Sequence, residues 1–395
     1  MRALQFDRKP AKYAAAFVAG SLRPGRGAAW GPLDLVDGDA PDLPGAGWVR
    51  IAPRLAGICG SDLSTIDGRA SRYFEPIVSF PFTPGHEVVA DVVGDGGTRT
   101  GTERPRRVVV VPVLSCVTRD INPMCASCQA GRINRCERIA FGHLEPGLQS
   151  GFCRDTGGGW STSMVAHASQ LVDVPDDLTD EGAVMVEPTA CAVHAARRYT
   201  GEQTAIIGAG TVGLLTLAAI TDRRRTESLG DAPVVVTAKY AEQRRLAKEL
   251  GADVVCGPDE LPRWVRRMSG SLAVGDQLTS GFGHVVDCVG SSGSIDQALK
   301  IAAPGGEVLL VGMPAKVSLE LTGLWHRETA IRGCYAYEHP DFVAAIDVVR
   351  RLDLGRLVSA TYPLRDYRDA LEHAATAGRR GAVKVAFDLR NEKGR

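Results

Sequence analysis

The chain has 395 residues, 44% hydrophobic and 23% charged, which is enough to bury a large core and long enough for two domains. Its 46 basic and 46 acidic residues cancel, so no basic field invites nucleic acid or an anionic membrane, and a small-molecule partner is expected. No apolar run approaches the roughly 20 residues of a membrane span, and residues 14–19 are too short for a signal-peptide core, so a cytoplasmic location is expected.

Residues 1 to about 190 are rich in Gly and Pro, with short Val-rich runs at 88–93 and 108–113, a pattern of short strands and long loops. This stretch holds Gly57-Ile58-Cys59-Gly60-Ser61-Asp62, then Pro84-Gly85-His86-Glu87, and at its end Val186-Glu187-Pro188. Near Thr200 the texture changes. A buried-strand candidate at 204–207 is followed by glycines and an apolar helical stretch at 212–220, then by a strand at 234–237 and a helix at 244–250 stopped by Gly251. Further strands are expected at 284–287 and 307–311, with a helix at 294–301 between them. This alternation predicts a parallel, doubly wound sheet. Beyond Gly333 the pattern gives helices at 341–352 and 367–377 and a closing strand at 382–389.

Catalytic zinc takes three protein ligands of sulfur, nitrogen or oxygen type and leaves a fourth position open. Cys59, His86 and a carboxylate from Glu87 or Glu187 make such a set. Each also has an ordinary reading: Cys59 as a small buried residue, His86 as a satisfied core histidine, Glu187 as a first-turn helix carboxylate. Ten cysteines, four of them crowded between 116 and 136, point to metal rather than disulfides. Cys125-Ala-Ser-Cys128 followed by Cys136, with Cys116 upstream, can close a structural zinc site of four thiolates.

Gly208-Ala209-Gly210-Thr211-Val212-Gly213 has the form of a dinucleotide fingerprint. With 45 glycines in the chain the string weighs little by itself; its place between a strand and a helix gives it meaning. An NAD site usually ends its second strand in an acid, whereas Ala238-Lys239-Tyr240 stands here. Lys239 suits a 2′-phosphate, so NADP is expected over NAD, with an exposed loop charge as the plain alternative. Gly290 and Gly312 fall at later strand ends, where they line the nicotinamide pocket or serve as turn residues.

The order of these motifs resembles the zinc-containing medium-chain alcohol dehydrogenase superfamily across residues 45–389. Within it the chain looks closest to the sorbitol, threonine, butanediol and glucose dehydrogenase branch, because Glu187-Pro188 stands where other members carry a third cysteine ligand. The resemblance implies an α/β chain: a GroES-like β-rich catalytic domain at 1–190 completed by 336–395, and a Rossmann domain at 191–335. It implies that Cys59 and His86 are fixed zinc ligands and that Glu87 or Glu187 is the third, directly or through water. Ser61 would receive the substrate proton, and Asp62 would orient the ligand histidine.

The implied activity is that of an oxidoreductase, an alcohol dehydrogenase in which zinc holds the alkoxide of a secondary alcohol, polyol or sugar-like substrate and hydride passes to NADP or NAD. A homodimer or homotetramer is implied, through the strand near 331–337. Two other functions fit less of the pattern: a zinc-dependent lyase or epimerase using bound nicotinamide as a transient hydride store, and a non-catalytic nucleotide-binding protein.

Two departures from the family stand out. Its structural lobe is normally C-x2-C-x2-C-x7-C, and here six extra residues separate the first and second cysteines. Pro112-Val-Leu-Ser-Cys116 fits the approach to the first ligand, with Asp120 or a vacant site as the alternatives. The histidine many members carry shortly after the serine is missing, since Leu63-Ser64-Thr65 follows Asp62. Insertions fall at 8–40, after Cys116, at 152–159 and around Arg223, and the aromatics Tyr73, Phe74, Phe80 and Phe82 either shape the substrate pocket or pack the core.

Overall fold

The computed structural model describes residues 1–94, 105–275, 277–314 and 316–392. The chain divides into two units, Met1–Glu187 with Tyr337–Arg395, and Pro188–Ala336.

In the first unit the strand Trp48–Gly57 is the middle of a seven-stranded sheet. Val88–Val92 pairs with it antiparallel on one side and Lys384–Asp388 on the other. Arg107–Val110 and Leu171–Asp173 extend the first side, Val358–Tyr362 extends the second in parallel, and Met164–His167 pairs with the start of the middle strand. All five residues of Val88–Val92 are buried, which is why that run lacks the alternation of a half-exposed strand. The registers matter for the site. Ala56 faces Val88 and Gly57 faces Ala386, so the residues just after the middle strand and just before its two neighbours meet at one sheet end.

The N-terminal region departs from the expected long loops. A hairpin of Arg2–Phe6 and Leu33–Asp37 is interrupted by a 13-residue helix, Pro10–Leu22, and a short helix, Gly27–Trp30. Pro10 stands at the helix start, where its missing N–H costs nothing, and five alanines follow within the helix. Asp67 fastens this segment: its buried carboxylate accepts from Gly25 N and Gly27 N, both at 2.9 Å.

The second unit is a six-stranded parallel sheet in the spatial order Val254–Cys256, Val234–Thr237, Thr204–Ile207, Phe282–Asp287, Ala302–Leu310, Ala330–Gly333. Strand order reverses between Thr204–Ile207 and Phe282–Asp287, and doubly wound sheets bind ligands in the crevice at the carboxyl ends of such a pair. Thr204–Ile207 and Val234–Thr237 are buried throughout, with helices Thr211–Thr226, Ala241–Glu249, Leu261–Ser269 and Ser292–Ile301 in the same unit. Each fully buried Val or Ile of these strands adds roughly 1.5–3 kcal/mol of transfer free energy. Among the described residues no helix is long and apolar enough to cross a membrane.

Candidate active site

The sheet end described above gathers the chemistry. Cys59 caps the helix Gly60–Ile66, which leaves the middle strand, and His86 and Glu87 lie immediately before Val88–Val92. Gly57 N donates to Glu87 O at 2.8 Å, stitching the two segments together. One donor atom each from Cys59, His86 and Glu87 lies within 4.8 Å of the others. Glu187 is not in that group.

Asp62, in the first turn of the same helix, serves both neighbours. Its Oδ2 accepts from Cys59 N at 3.0 Å, and its Oδ1 faces His86 Nδ1 at 3.5 Å. Burial acts to lower the His86 pKa, but Asp62 and Cys59 raise it well above the ordinary histidine value, so the site attracts a positive charge strongly. Asp62 Oδ1, His86 Nδ1 and Glu87 Oε2 are buried with no hydrogen-bond partner. Sulfur, imidazole and carboxylate donors converging in one place suit zinc, which Cys59, His86 and Glu87 would hold. Ser61 is partly exposed on that first turn, and the Thr65 hydroxyl donates to Ser61 O at 3.0 Å.

Three residues at the site were not foreseen in the sequence. Lys384 is 2% exposed at the start of its strand; it forms an ion pair with Glu87 and donates to Ile58 O at 3.2 Å. Its neighbours at 382–389 are almost all apolar, and a lysine inside such a run is itself a sign of a buried partner. Tyr337 donates its hydroxyl to Glu187 Oε1 at 2.9 Å. Burial pushes the Glu187 carboxyl up to about 7; Glu87 adds to this, while His86, Tyr337 and Lys384 oppose it. The Phe152 ring lies 5.9 Å from that of His86. Of the aromatics singled out earlier, Phe82 is core, 5.3 Å from Phe152, while Tyr73 is on the surface.

Cys116, Cys125, Cys128 and Cys136 form a second buried group with sulfurs within 4.8 Å of one another, and Asp120 is outside it. The extra residues after Cys116 loop out and return: Arg119 N and Ile121 N both donate to Cys116 O. Backbone amides of Cys125, Cys128 and Arg138 point at the sulfurs of Cys116, Cys125 and Cys136. Burial opposes ionisation of the Cys125 thiol, yet N–H donors bring it down to about 7, whereas burial pushes Cys136 up to about 11. Four packed thiols ionise together only around a cation, and this donor set fits structural zinc.

In the second unit, Gly208 (φ 96°) makes the turn after its strand, and a Cβ on Gly213 would strike Gly208 O. A Cβ on Gly210 would meet nothing within 4 Å, so open space lies at the start of the 16-residue helix Thr211–Thr226. That space, with the helix dipole and the start of the helix at Thr211, Val212 and Gly213 behind it, fits a pyrophosphate. Lys239 is exposed after Thr237 and, with Arg244, Gly257, Pro258, Asp259 and Glu260, lines a cavity of ≈ 610 Å³. Gly290 and Gly312 abut each other: a Cβ on Gly290 would be 2.9 Å from Gly312 O, so close packing alone already requires glycine there.

Comparison with known proteins shows the family. The alcohol dehydrogenase GroES-like domain family matches residues 45–176 and the zinc-binding dehydrogenase family residues 228–351. A zinc-type alcohol dehydrogenase-like protein of Haemophilus influenzae is 31% identical over 278 residues, 67% of this chain and 69% of that protein. The L-idonate 5-dehydrogenase of Vitis vinifera is 28% identical over 354 residues, 86% of this chain and 88% of its own. The crystal structure of a zinc-binding dehydrogenase from Sinorhizobium meliloti 1021 bound to NADP superposes with a TM-score of 0.68 at 25% identity, covering 90% of this chain and 95% of that one. The chain belongs to the zinc-containing medium-chain alcohol dehydrogenase superfamily, and it is a zinc-dependent alcohol oxidoreductase that uses a nicotinamide cofactor.

Proposed function

We propose that this enzyme oxidises a polyhydroxylated secondary alcohol with NADP, using Cys59, His86 and Glu87 to hold the catalytic zinc. The convergence of these three donors within 4.8 Å carries the reading. When bound, zinc supplies Lewis-acid polarisation of the alcohol oxygen and nicotinamide supplies the hydride acceptor. The chain's own residues do the rest. Asp62 fixes both Cys59 and the tautomer of His86, Lys384 balances the charge of Glu87, and Ser61 Oγ takes the hydroxyl proton. Glu187, tethered by Tyr337, stands as an outer carboxylate rather than a ligand. The lyase or epimerase alternative has no observation in its favour. A substrate with several hydroxyls is supported by the relative named for L-idonate.

The cofactor preference rests on Lys239 and Arg244. Among the described residues neither is ion-paired, both line the cavity beyond the second strand, and Arg244 is steadied by its Nε donating to Ala238 O at 3.1 Å. Glu260, which accepts from Gly257 N at 2.6 Å, and Asp259 line the same cavity. Arg244→Ala is expected to raise KM for NADP about 10-fold, the loss of one charge-assisted hydrogen bond, and to leave KM for NAD unchanged. Initial rates with a panel of polyols and secondary alcohols test both points. Faster turnover with NAD than with NADP at equal low concentration would reverse the assignment.

The chain is further proposed to work in the cytoplasm as a homodimer. None of the cysteines is in a disulfide, which suits a reducing compartment. Ala330–Gly333 is an edge strand of its sheet, which pairing with a second copy would cover, and the helix Thr322–His326 that precedes it exposes Trp325. Trp325→Lys is expected to shift the species seen by light scattering from dimer toward monomer; an unchanged mass would move the contact elsewhere.

A further inference from the structure

The segment between the two strands of the N-terminal hairpin leaves after Phe6 and returns at Leu33, its ends joined by Asp7 N donating to Pro32 O at 3.0 Å. Its first anchor lies on the approach to His86. Phe6 and Phe82 exchange backbone hydrogen bonds of 2.8 and 3.0 Å, and their rings stack at 5.2 Å. The Phe82 ring lies 5.3 Å from that of Phe152, which is 5.9 Å from that of His86. One end of the segment is therefore fixed to the wall beside the imidazole.

The second anchor lies on the helix that starts after Cys59. Gly60–Ile66 has only 7 residues, too few to hold a helix unaided, so contacts at its ends set its pose. At the N-terminal end Asp62 accepts from Cys59 N. At the C-terminal end Asp67 N donates to Leu63 O at 2.9 Å, and Leu63 N donates to Cys59 O at 3.2 Å. The helix dipole disfavours a carboxylate there, yet Asp67 is only 4% exposed. What holds it is the pair of 2.9 Å bonds from Gly25 N and Gly27 N. A Cβ on Gly20 would stand 2.6 Å from Asp67 Cγ, and one on Gly27 2.5 Å from Ile66 O, so the inserted helices touch this end with no side chain between. Arg69, two residues on, donates to Gly20 O.

We propose that residues 7–32 are a brace between the segments carrying His86 and Cys59, and that Asp67 is the positioning residue through which the brace aims Ser61 at the alcohol. This rests on the reading of Ser61 as the group that takes the hydroxyl proton. The helix is about 10 Å long and shifts as a unit, so a displacement at Asp67 reaches Ser61 on its first turn. A misplacement of about 1 Å at a reacting group costs up to about 100-fold in rate. The dinucleotide fingerprint belongs to the other unit, so KM for the cofactor is outside the reach of the brace.

The test compares the wild type, Asp67→Asn and Gly27→Ala. In Asp67→Asn an amide N–H faces a backbone N–H, so one of the two bonds is lost. In Gly27→Ala the added methyl wedges against Ile66 O, at the far end of the helix from Cys59, although Ala is otherwise the better helix former. Both variants are expected to lower kcat/KM for the alcohol about 10-fold, with KM for the alcohol raised and KM for the nicotinamide unchanged. A lower kcat with both KM values unchanged, which is what a smaller folded fraction produces, overturns the proposal; so does a rise in both KM values, or wild-type kinetics. A wild type without dehydrogenase activity removes the proposed function, and the brace is then judged by hydrogen exchange, which also decides if the variants do not fold. On the wild-type chain the amides of Gly25, Gly27, Leu63 and Asp67 should open together with one common protection factor, and Gly25 and Gly27 exchanging ahead of Leu63 and Asp67 overturns the coupling.

Discussion

Cys59→Ser is expected to lower kcat/KM for alcohol oxidation by at least about 10³-fold, equivalent to about 4 kcal/mol of transition-state stabilisation. A serine hydroxyl does not ionise at neutral pH and is a poor zinc ligand, so the variant should also lose one zinc per chain while the lobe keeps its own. The fold should survive, because Cys59 is partly exposed at a helix start and its backbone N–H still donates to Asp62. Steady-state kinetics and metal analysis on the same preparation check both effects. Full turnover in this variant, with an established substrate, would sink the zinc mechanism.

The second large effect concerns stability. Lys384→Met is expected to destabilise the zinc-free enzyme by about 3–5 kcal/mol, because without metal it strands the Glu87 carboxylate in a site where both partners are almost fully buried. Lys384→Arg should recover most of the loss, since it restores the charge. The double variant Lys384→Met with Glu87→Gln should be less destabilised than the sum of the two single changes, the mark of a coupled pair. Urea unfolding followed by fluorescence measures all four. Strict additivity would mean that Lys384 acts only through its donation to Ile58 O.

The strands at 88–92, 204–207 and 234–237 were legible in the sequence because they are short Val- and Ile-rich runs bounded by turn residues. Gly208, Gly210 and Gly213 were legible because their spacing sits at a strand-to-helix junction. The helix Pro10–Leu22 was missed although its signals were present, Pro10 at the first position and alanines within, since the surrounding glycines and prolines favoured a loop. Cys59, His86 and Glu87 are separated by up to 28 positions, and only the antiparallel register between Trp48–Gly57 and Val88–Val92 brings them to one place. No local spacing encodes that. Between Glu87 and Glu187 the sequence offered no choice; the distances favour Glu87. Tyr337 had no readable signal, because it reaches 150 residues back.

The most direct test of the central claim is the absorbance of reduced nicotinamide during turnover of the purified, zinc-loaded enzyme with a polyol panel. Reduced cofactor should accumulate one-for-one with the ketone formed. Conversion of substrate with no net reduced nicotinamide would contradict the assignment and point instead to the lyase or epimerase chemistry that uses the cofactor only as a transient hydride store.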